Sequence, residues 1–466
     1  MDASAKSFDH WALPDEIWLK VFSYLSTTSI CRLVSKVCRH WHFLSNQVEL
    51  WKNVSIPLKD CLVTKRSFQK LFSCKDLSIA SSFSVYRQKY FTNDLLAKLV
   101  DINPNIRVLS LLHCQEITNS GLQYISRLQK LERLSISICH DGISDDSIIY
   151  ITQHLQTIKY LYVQDSFTLT NESLYAISVL SKLSHLEIVD LILTEEGLAC
   201  LSRNLKNLSH LTISTALTLT ATQISSIRFT NLNSVDFSSI EATGEDALTT
   251  FVKNNRNLKS MRLVDCDILG NFIYQQNSLR KLEMPMCNKL STKFYRYFQS
   301  SGDLEELEVV INECCELDIT FLHVRRLTVS FFHYVVLGLS NNLAKYFLLR
   351  SENLVKLVLW EGIKRIEEAC IEVVLSQCTN LKKLWIKGIY FSNSAFLNLT
   401  ENSSIQELIA YSLRNMTKLV FLKLARALPN LCSAEFYDMN CDTLLVRQIF
   451  SKNCIYIQNL KISNNF

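Results

Sequence analysis

The residues of this chain with the most latent chemistry are its sixteen cysteines. Four of them, Cys114, Cys139, Cys266 and Cys287, recur at one fixed place in a repeated apolar phrase. Asn312 fills that place in another copy, and Cys314 and Cys315 stand side by side. Thiolates can hold zinc, but there is no CxxC pair and no histidine at ligand spacing. A small buried residue that hydrogen-bonds the turn after a strand accounts for the pattern, since free cysteine behaves as a small hydrophobe. No metal and no cofactor are expected. A Gly-rich phosphate loop, HExxH, GxSxG and other nucleophile motifs are missing as well, so no catalytic residue is expected and an enzyme is disfavoured. What remains is the chemistry of recognition. Lys356, Trp360, Lys383, Trp385, Lys387 and Tyr411 put large aromatics beside cations, as interface anchors do, and form the candidate patch for binding a partner. Their lysines would favour an acidic or phosphorylated segment. The alternative is that the tryptophans cover neighbouring units and the lysines are solvated.

These residues are placed by the phrase apolar-x-x-apolar-x-apolar, which starts fifteen times between Ile106 and Ile457 at a spacing of roughly 25 residues. LERLSI from Leu131, LNSVDF from Leu232 and LKKLWI from Leu381 are three copies. Degenerate copies, WKNVSI from Trp51 and CKDLSI from Cys74, precede them. A fixed period of this size marks a solenoid whose units share a core that none can build alone. Within a unit the alternation of period two gives way to a spacing of three and four, so a short strand passes into a helix. Thr118, Ser144, Thr170, Thr194 and Thr220 stand where the helices should start and offer side-chain oxygens to the open amides. Acidic residues follow at Asp145, Asp146, Glu172, Glu195 and Glu196, which suits the positive end of the helix dipole.

Alternation along each strand sends the third, fifth and seventh residues of the phrase to the open side of the sheet. That side is polar and weakly charged in early units, with Arg133, Tyr160, Tyr162, His185, Glu187 and His210. Later it carries Lys281, Glu283, Glu306, Glu308, Arg326 and the patch residues, then Glu407, Glu435 and Tyr437. Two intervals break the period, 20 residues from Leu304 to Val324 and 30 from Val324 to Leu354, and predict a local distortion around Ser330 to Leu343.

Composition narrows the class further. Lys and Arg number 49 against 44 Asp and Glu in 466 residues, and no basic run suggests a nucleic-acid stripe. No apolar run approaches the ~18 residues needed to span a bilayer, and the first residues show no apolar signal segment. A soluble cytoplasmic or nuclear protein with reduced thiols is the expectation. Nine glycines and five prolines leave little for flexible linkers.

Leu13 to Trp51 follows a different, helical pattern. Pro14 suits a first helical turn, with Asp15 and Glu16 beside it. Leu13, Ile17, Val21 and Leu25 follow at steps of four, and Phe22 widens the stripe. A second helix carries Ile30, Leu33, Val34, Val37 and Trp41. About 40 residues make a poor core alone, so the apolar surface should be shared.

Two resemblances follow from these residues. The phrase LxxLxLxxC with its following I-T/S and short helix resembles the cysteine-containing leucine-rich repeat over roughly residues 51 to 466, although the cysteine is lost through much of the array. LPDE at Leu13, VFSYL at Val21, RLVSKVCRHW at Arg32 and the closing Trp51 resemble the F-box. Together they imply an α/β repeat fold: a small helical F-box module at 8–50, a linking segment with degenerate repeats at 51–105, and a leucine-rich-repeat solenoid of about 15 units at 106–466, a horseshoe with parallel inner strands and outer helices.

In that family the module docks onto the Skp adaptor, which ties it to cullin and RING subunits, while the repeats hold a protein substrate on their concave side. Carried over by residue, Leu13, Pro14, Ile17, Val21, Phe22, Leu25, Leu33, Val37 and Trp41 would face the adaptor. For Leu33, Val37 and Trp41 the alternative is packing inside the module. The resemblance thus implies a non-catalytic substrate-recognition subunit of a Skp-cullin-F-box ubiquitin ligase, with no nucleic-acid or membrane partner. A small-molecule-dependent co-receptor of the same architecture and a scaffold outside any ligase are the alternatives.

Overall fold

The computed structural model describes residues 13–56, 64–74, 77–137, 143–164, 168–214, 219–240, 244–275, 278–297, 303–311, 324–331, 353–361, 378–387, 404–411, 413–414 and 416–463. Cys139, Asn312, Cys314, Cys315, Asn464, Asn465 and most of Ser330 to Leu343 lie outside them. The chain divides into two compact units, Met1–Thr215 and Ala216–Phe466.

The first unit opens with three helices, Asp15–Ser23, Thr27–Arg32 and Arg39–Leu44. Ser26 caps the second by accepting from the Ser29 amide at 3.1 Å. Seven parallel strands follow: β1 (Asn53–Ile56), β2 (Ser82–Tyr86), β3 (Val108–Leu112), β4 (Arg133–Ser137), β5 (Tyr160–Gln164), β6 (His185–Val189) and β7 (His210–Ser214). They pair without slippage, so that Leu109, Leu134, Leu161, Leu186 and Leu211 form one buried row. The second and fourth residues of β2, β3, β5 and β6 are buried and the others half-exposed, which is the expected division of the phrase.

The second unit holds β8 (Ser234–Ser238), β9 (Ser260–Val264), β10 (Lys281–Met284), β11 (Glu306–Ile311), β12 (Arg326–Phe331), β13 (Lys356–Glu361), β14 (Lys383–Lys387), β15 (Glu407–Ala410), β16 (Ser433–Tyr437) and β17 (Asn459–Ser463), paired in parallel in that order. The two irregular intervals leave the strands undisturbed. Leu307, Leu327 and Leu357 stay opposite one another, and β11, β12 and β13 are six residues long. The extra and missing residues are therefore absorbed between strands.

One strand differs from expectation. CKDLSI from Cys74 is no strand: Leu77–Ile79 is a tight 3-10 turn, and Leu77 O and the following Ala80 O accept from the buried Asn103 side chain at 2.8 and 2.7 Å. The unit's strand is β2, and its phrase is Ala80-x-x-Phe83-x-Val85, with all three apolar residues buried. The residue eighth in this phrase, Arg87, has φ 51°. His113, Asp190, Ser239, Asp265, Met286 and Asp438 stand eighth in their own phrases and are likewise left-handed. A left-handed residue after the strand turns the chain toward the return segment, and Asp and His tolerate that conformation better than most.

The helix starts lie where the Ser and Thr residues place them. Ser144, Thr170, Thr194 and Thr220 each accept from an amide in the first turn, Thr220 within a capping box, and Thr118 is also an N-cap although without that bond. The residue after the cap adds a link not anticipated. Asn93, Asn119 and Asp145 each accept from the backbone amide of the next unit's cap, at 3.1, 2.9 and 3.0 Å, and Asn171 accepts from the Thr194 hydroxyl at 2.7 Å. Asp145 also accepts from the hydroxyls of Thr170 and Ser173. Burial works to raise its pKa, but the bonds from Ser173 and Thr170 outweigh it and hold the carboxyl below its ordinary value. Its contribution is therefore present above the unfolded carboxyl pKa and lost as pH falls through the lowered folded value. Asp145→Asn should be nearly neutral in thermal melts at pH 7, because asparagine accepts from the next cap's amide in the two preceding units. Asp145→Ala should lose roughly 1–2 kcal/mol. Equal losses in both would mean that the charge, and not the acceptor geometry, matters.

Candidate functional site

The N-terminal module divides its apolar residues between two faces. Leu13, Ile17, Val21, Leu25, Leu33 and Val37 are 42 to 66% exposed, and Pro14 is exposed with them. So many large apolar side chains on so small a module mark an interaction surface. Leu33 and Val37 thus do not pack inside.

Phe22 departs from its expected place on that stripe, being only 1% exposed. Its ring lies 5.9 Å from Trp18 and 5.0 Å from Trp41, and Trp18 and Trp41 are 4.8 Å apart. Trp41 is half-buried in the same cluster. The four-residue step from Trp18 to Phe22 is a second, inward stripe, which the outward step from Ile17 to Val21 masked. Tyr24, Phe43 and Val48 are exposed and were not expected to be. Tyr24 falls seven residues after Ile17, on the same outward face, while Phe43 and Val48 lie on and after the third helix.

Trp51 closes the module: it is 1% exposed, and its indole N–H donates to Ser45 O at 2.9 Å.

On the second unit's open face the expected patch is partly assembled. Lys356 Nζ lies 4.1 Å from the centre of the Trp385 ring, a cation–π contact. Trp385 Nε1 donates to Glu407 Oε1 at 2.8 Å, and Lys383 Nζ stands 2.7 Å from Glu407 Oε2. Burial opposes ionisation of Glu407, but the bonds from Lys383 and Trp385 prevail and lower its pKa. Tyr411 instead joins Tyr437, stacked at 4.5 Å and 9°, with Lys461 over the other ring at 5.1 Å. The backbones of Trp360 and Lys387 pair across β13 and β14, and their side chains lie outside the described residues.

Beside the patch, β10 to β14 form a cleft of about 460 Å³ lined by residues including Glu283, Glu308, Thr328, Lys356 and Trp385. The acidic neighbours of the lysines were visible in sequence, but not their pairing with the patch.

The first unit's open face is less featureless than its composition suggested. Arg133, Tyr160, His185 and His210 stand opposite one another at the first position of β4 to β7. The guanidinium lies 4.6 Å from the tyrosine ring, and the histidines stack at 4.0 Å and 7°. Burial, the neighbouring His210 and Arg133 lower the His185 pKa, and burial lowers that of His210, so this row is neutral at its histidines near pH 7.

The cysteines do structural work. The Cys114 thiol reaches Val85 O and Leu112 O at 3.8 and 3.7 Å, and that of Cys287 reaches Leu263 O at 3.3 Å, carbonyls in the last two residues of their strands. Among the described residues no group of three side chains could hold a metal ion, and no helix is long and apolar enough to cross a membrane.

Comparison with known proteins agrees with this division. The F-box-like family model matches residues 10–57. The F-box/LRR-repeat protein 23 of Arabidopsis thaliana is 26% identical over 44% of this chain and 48% of its own, and the F-box protein SKIP19 of the same plant is 25% identical over 43% and 67%. The chain thus spans about half the length of the first of these. Among solved structures, one of the Rad7 and Elc1 complex in yeast aligns with 89% of this chain and 94% of the other at 16% identity and a TM-score of 0.45. The chain thus carries an F-box-like module ahead of a parallel-strand repeat array, the organisation of the F-box and leucine-rich-repeat proteins to which it is similar.

Proposed function

We propose that this chain is the substrate-recognition subunit of a Skp-cullin-F-box ubiquitin ligase. Its module binds the Skp adaptor, and through it cullin and RING subunits, while the open face of the repeats holds the protein to be modified. The observation that carries the reading is the exposed stripe from Leu13 through Ile17, Val21 and Leu25, presented by a module that matches the F-box-like family. Such a subunit needs no catalytic group, because its contribution is proximity: it holds the target beside a ubiquitin-loaded enzyme.

The patch around Trp385 is the proposed substrate contact. Tagged full-length chain and its Trp385→Ala variant, recovered from cells and compared by quantitative mass spectrometry, should retain the same amount of Skp adaptor. The variant should lose the proteins that are retained by the unaltered chain and turned over with it. Equal retention of those proteins by both would place the substrate contact elsewhere.

A further inference from the structure

Among the described residues, three of the four cations that line the cleft are already matched by carboxylates. Lys281 lies 2.8 Å from Glu283, Arg326 pairs with Glu306, and Lys383 lies 2.7 Å from Glu407. The fourth, Lys356, sits over the Trp385 ring. A phosphate or an acidic side chain entering here would have to displace these partners.

The charged group left over is an anion. Glu308, half-buried on β11, makes no hydrogen bond or ion pair among the described residues. Arg262, Lys281 and Lys356 act on it through space, yet burial and, after it, Glu283 outweigh them and raise its pKa. Its carboxylate is half out of water with no donor bonded to it among the described residues.

The surface around it has room. Glu308, Thr328, Val358 and Trp385 stand opposite one another along one row across β11 to β14. Thr328 is short and lines the cleft together with the Glu308 carboxylate at one end and the Trp385 indole at the other. Three strand spacings separate the ends, about 14 Å, which is about four residues of extended chain.

We propose that this cleft takes a basic side chain, arginine in preference to lysine, from an extended segment of the partner polypeptide. Glu308 is its acceptor, and Trp385 covers an apolar residue about four positions away. Arginine is favoured because its planar fork meets a carboxylate with two parallel bonds and is less strongly hydrated than an ammonium. This rests on the reading of the open face as the partner-binding surface and assigns the partner's charge there.

Fluorescein-labelled nonapeptide pools, random except for a central Arg, Lys, Glu or phosphoserine, can be titrated against the full chain by fluorescence anisotropy. The Arg pool should bind at least several-fold more tightly than the Glu and phosphoserine pools. Glu308→Gln should weaken the Arg pool roughly tenfold and erase the preference, and Trp385→Ala should weaken every pool. Tighter binding of the Glu or phosphoserine pool, still sensitive to Trp385→Ala, would overturn the basic-side-chain assignment and leave the face as a binding surface. Binding that responds to neither substitution, or no binding by any pool, would overturn both.

Discussion

Ile17→Glu combined with Val21→Glu should weaken capture of the Skp adaptor by more than about 100-fold while leaving the melting temperature of the chain almost unchanged. Both side chains are about 45% exposed on the outer stripe of the first helix. Charging them removes apolar anchors and buries two carboxylates at the contact, and central anchors of this kind are each worth about 2 kcal/mol or more. Their exposure means that the unbound fold loses little, since surface substitutions usually stay within about 0.5 kcal/mol.

Phe22→Ala separates recognition from folding. It removes a ring that is 1% exposed between Trp18 and Trp41, so it should destabilise the module by about 3–5 kcal/mol, and adaptor capture should fall only because the module unfolds. Pull-down with purified adaptor, run beside thermal melts of each variant, distinguishes the two. A Phe22→Ala variant that melts normally but fails to bind would return Phe22 to the contact surface.

The second large effect is expected at Trp51. This side chain ends the helical module two residues before β1 begins, and its indole N–H is bonded to Ser45 O in a site that is 1% exposed. Trp51→Ala should cost about 3–5 kcal/mol, because it leaves a cavity and frees a buried carbonyl. Trp51→Phe keeps much of the packing and loses the bond, so it should cost about 1–2 kcal/mol. Hydrogen exchange is the suitable readout. In the alanine variant the amides of Arg39–Leu44 should lose protection ahead of those in β3 to β7, since each repeat is stabilised mainly by its neighbours. Uniform loss across the whole first unit would instead show that module and repeats unfold as one.

The strands were legible because the phrase is redundant. Leucine and isoleucine at the first, fourth and sixth positions fix register in each copy separately, and a slip by one residue would turn the apolar set to water. Ala80, Phe83 and Val85 escaped because alanine at the first position and phenylalanine at the fourth do not look like the other copies, although all three are buried. The eighth-position residue gives no help in this unit: Arg87 is left-handed like Asp190, Asp265 and Asp438, but arginine carries no mark of it, whereas aspartate does.

The open face was legible as a set of residues and not as a set of pairs. Lys383 and Glu407 are separated by 24 positions in sequence, yet both stand third in their phrases, and His185 with His210 and Tyr411 with Tyr437 obey the same rule. Once units stack in register, equal positions become neighbours at one strand spacing. Composition therefore suggested lysines free to meet an acid, while stacking supplies Glu407 to one of them and Trp385 to another. On the module the same lesson applies within one helix. Ile17 and Val21 face out, and Trp18 and Phe22 face in, one residue further round.

Isothermal titration of the purified full-length chain with purified Skp adaptor tests the central claim most directly. A one-to-one complex tighter than about 1 μM is expected, with the heat abolished by Ile17→Glu and Val21→Glu together. No heat with the unaltered, folded chain, or heat that survives both substitutions, would contradict it.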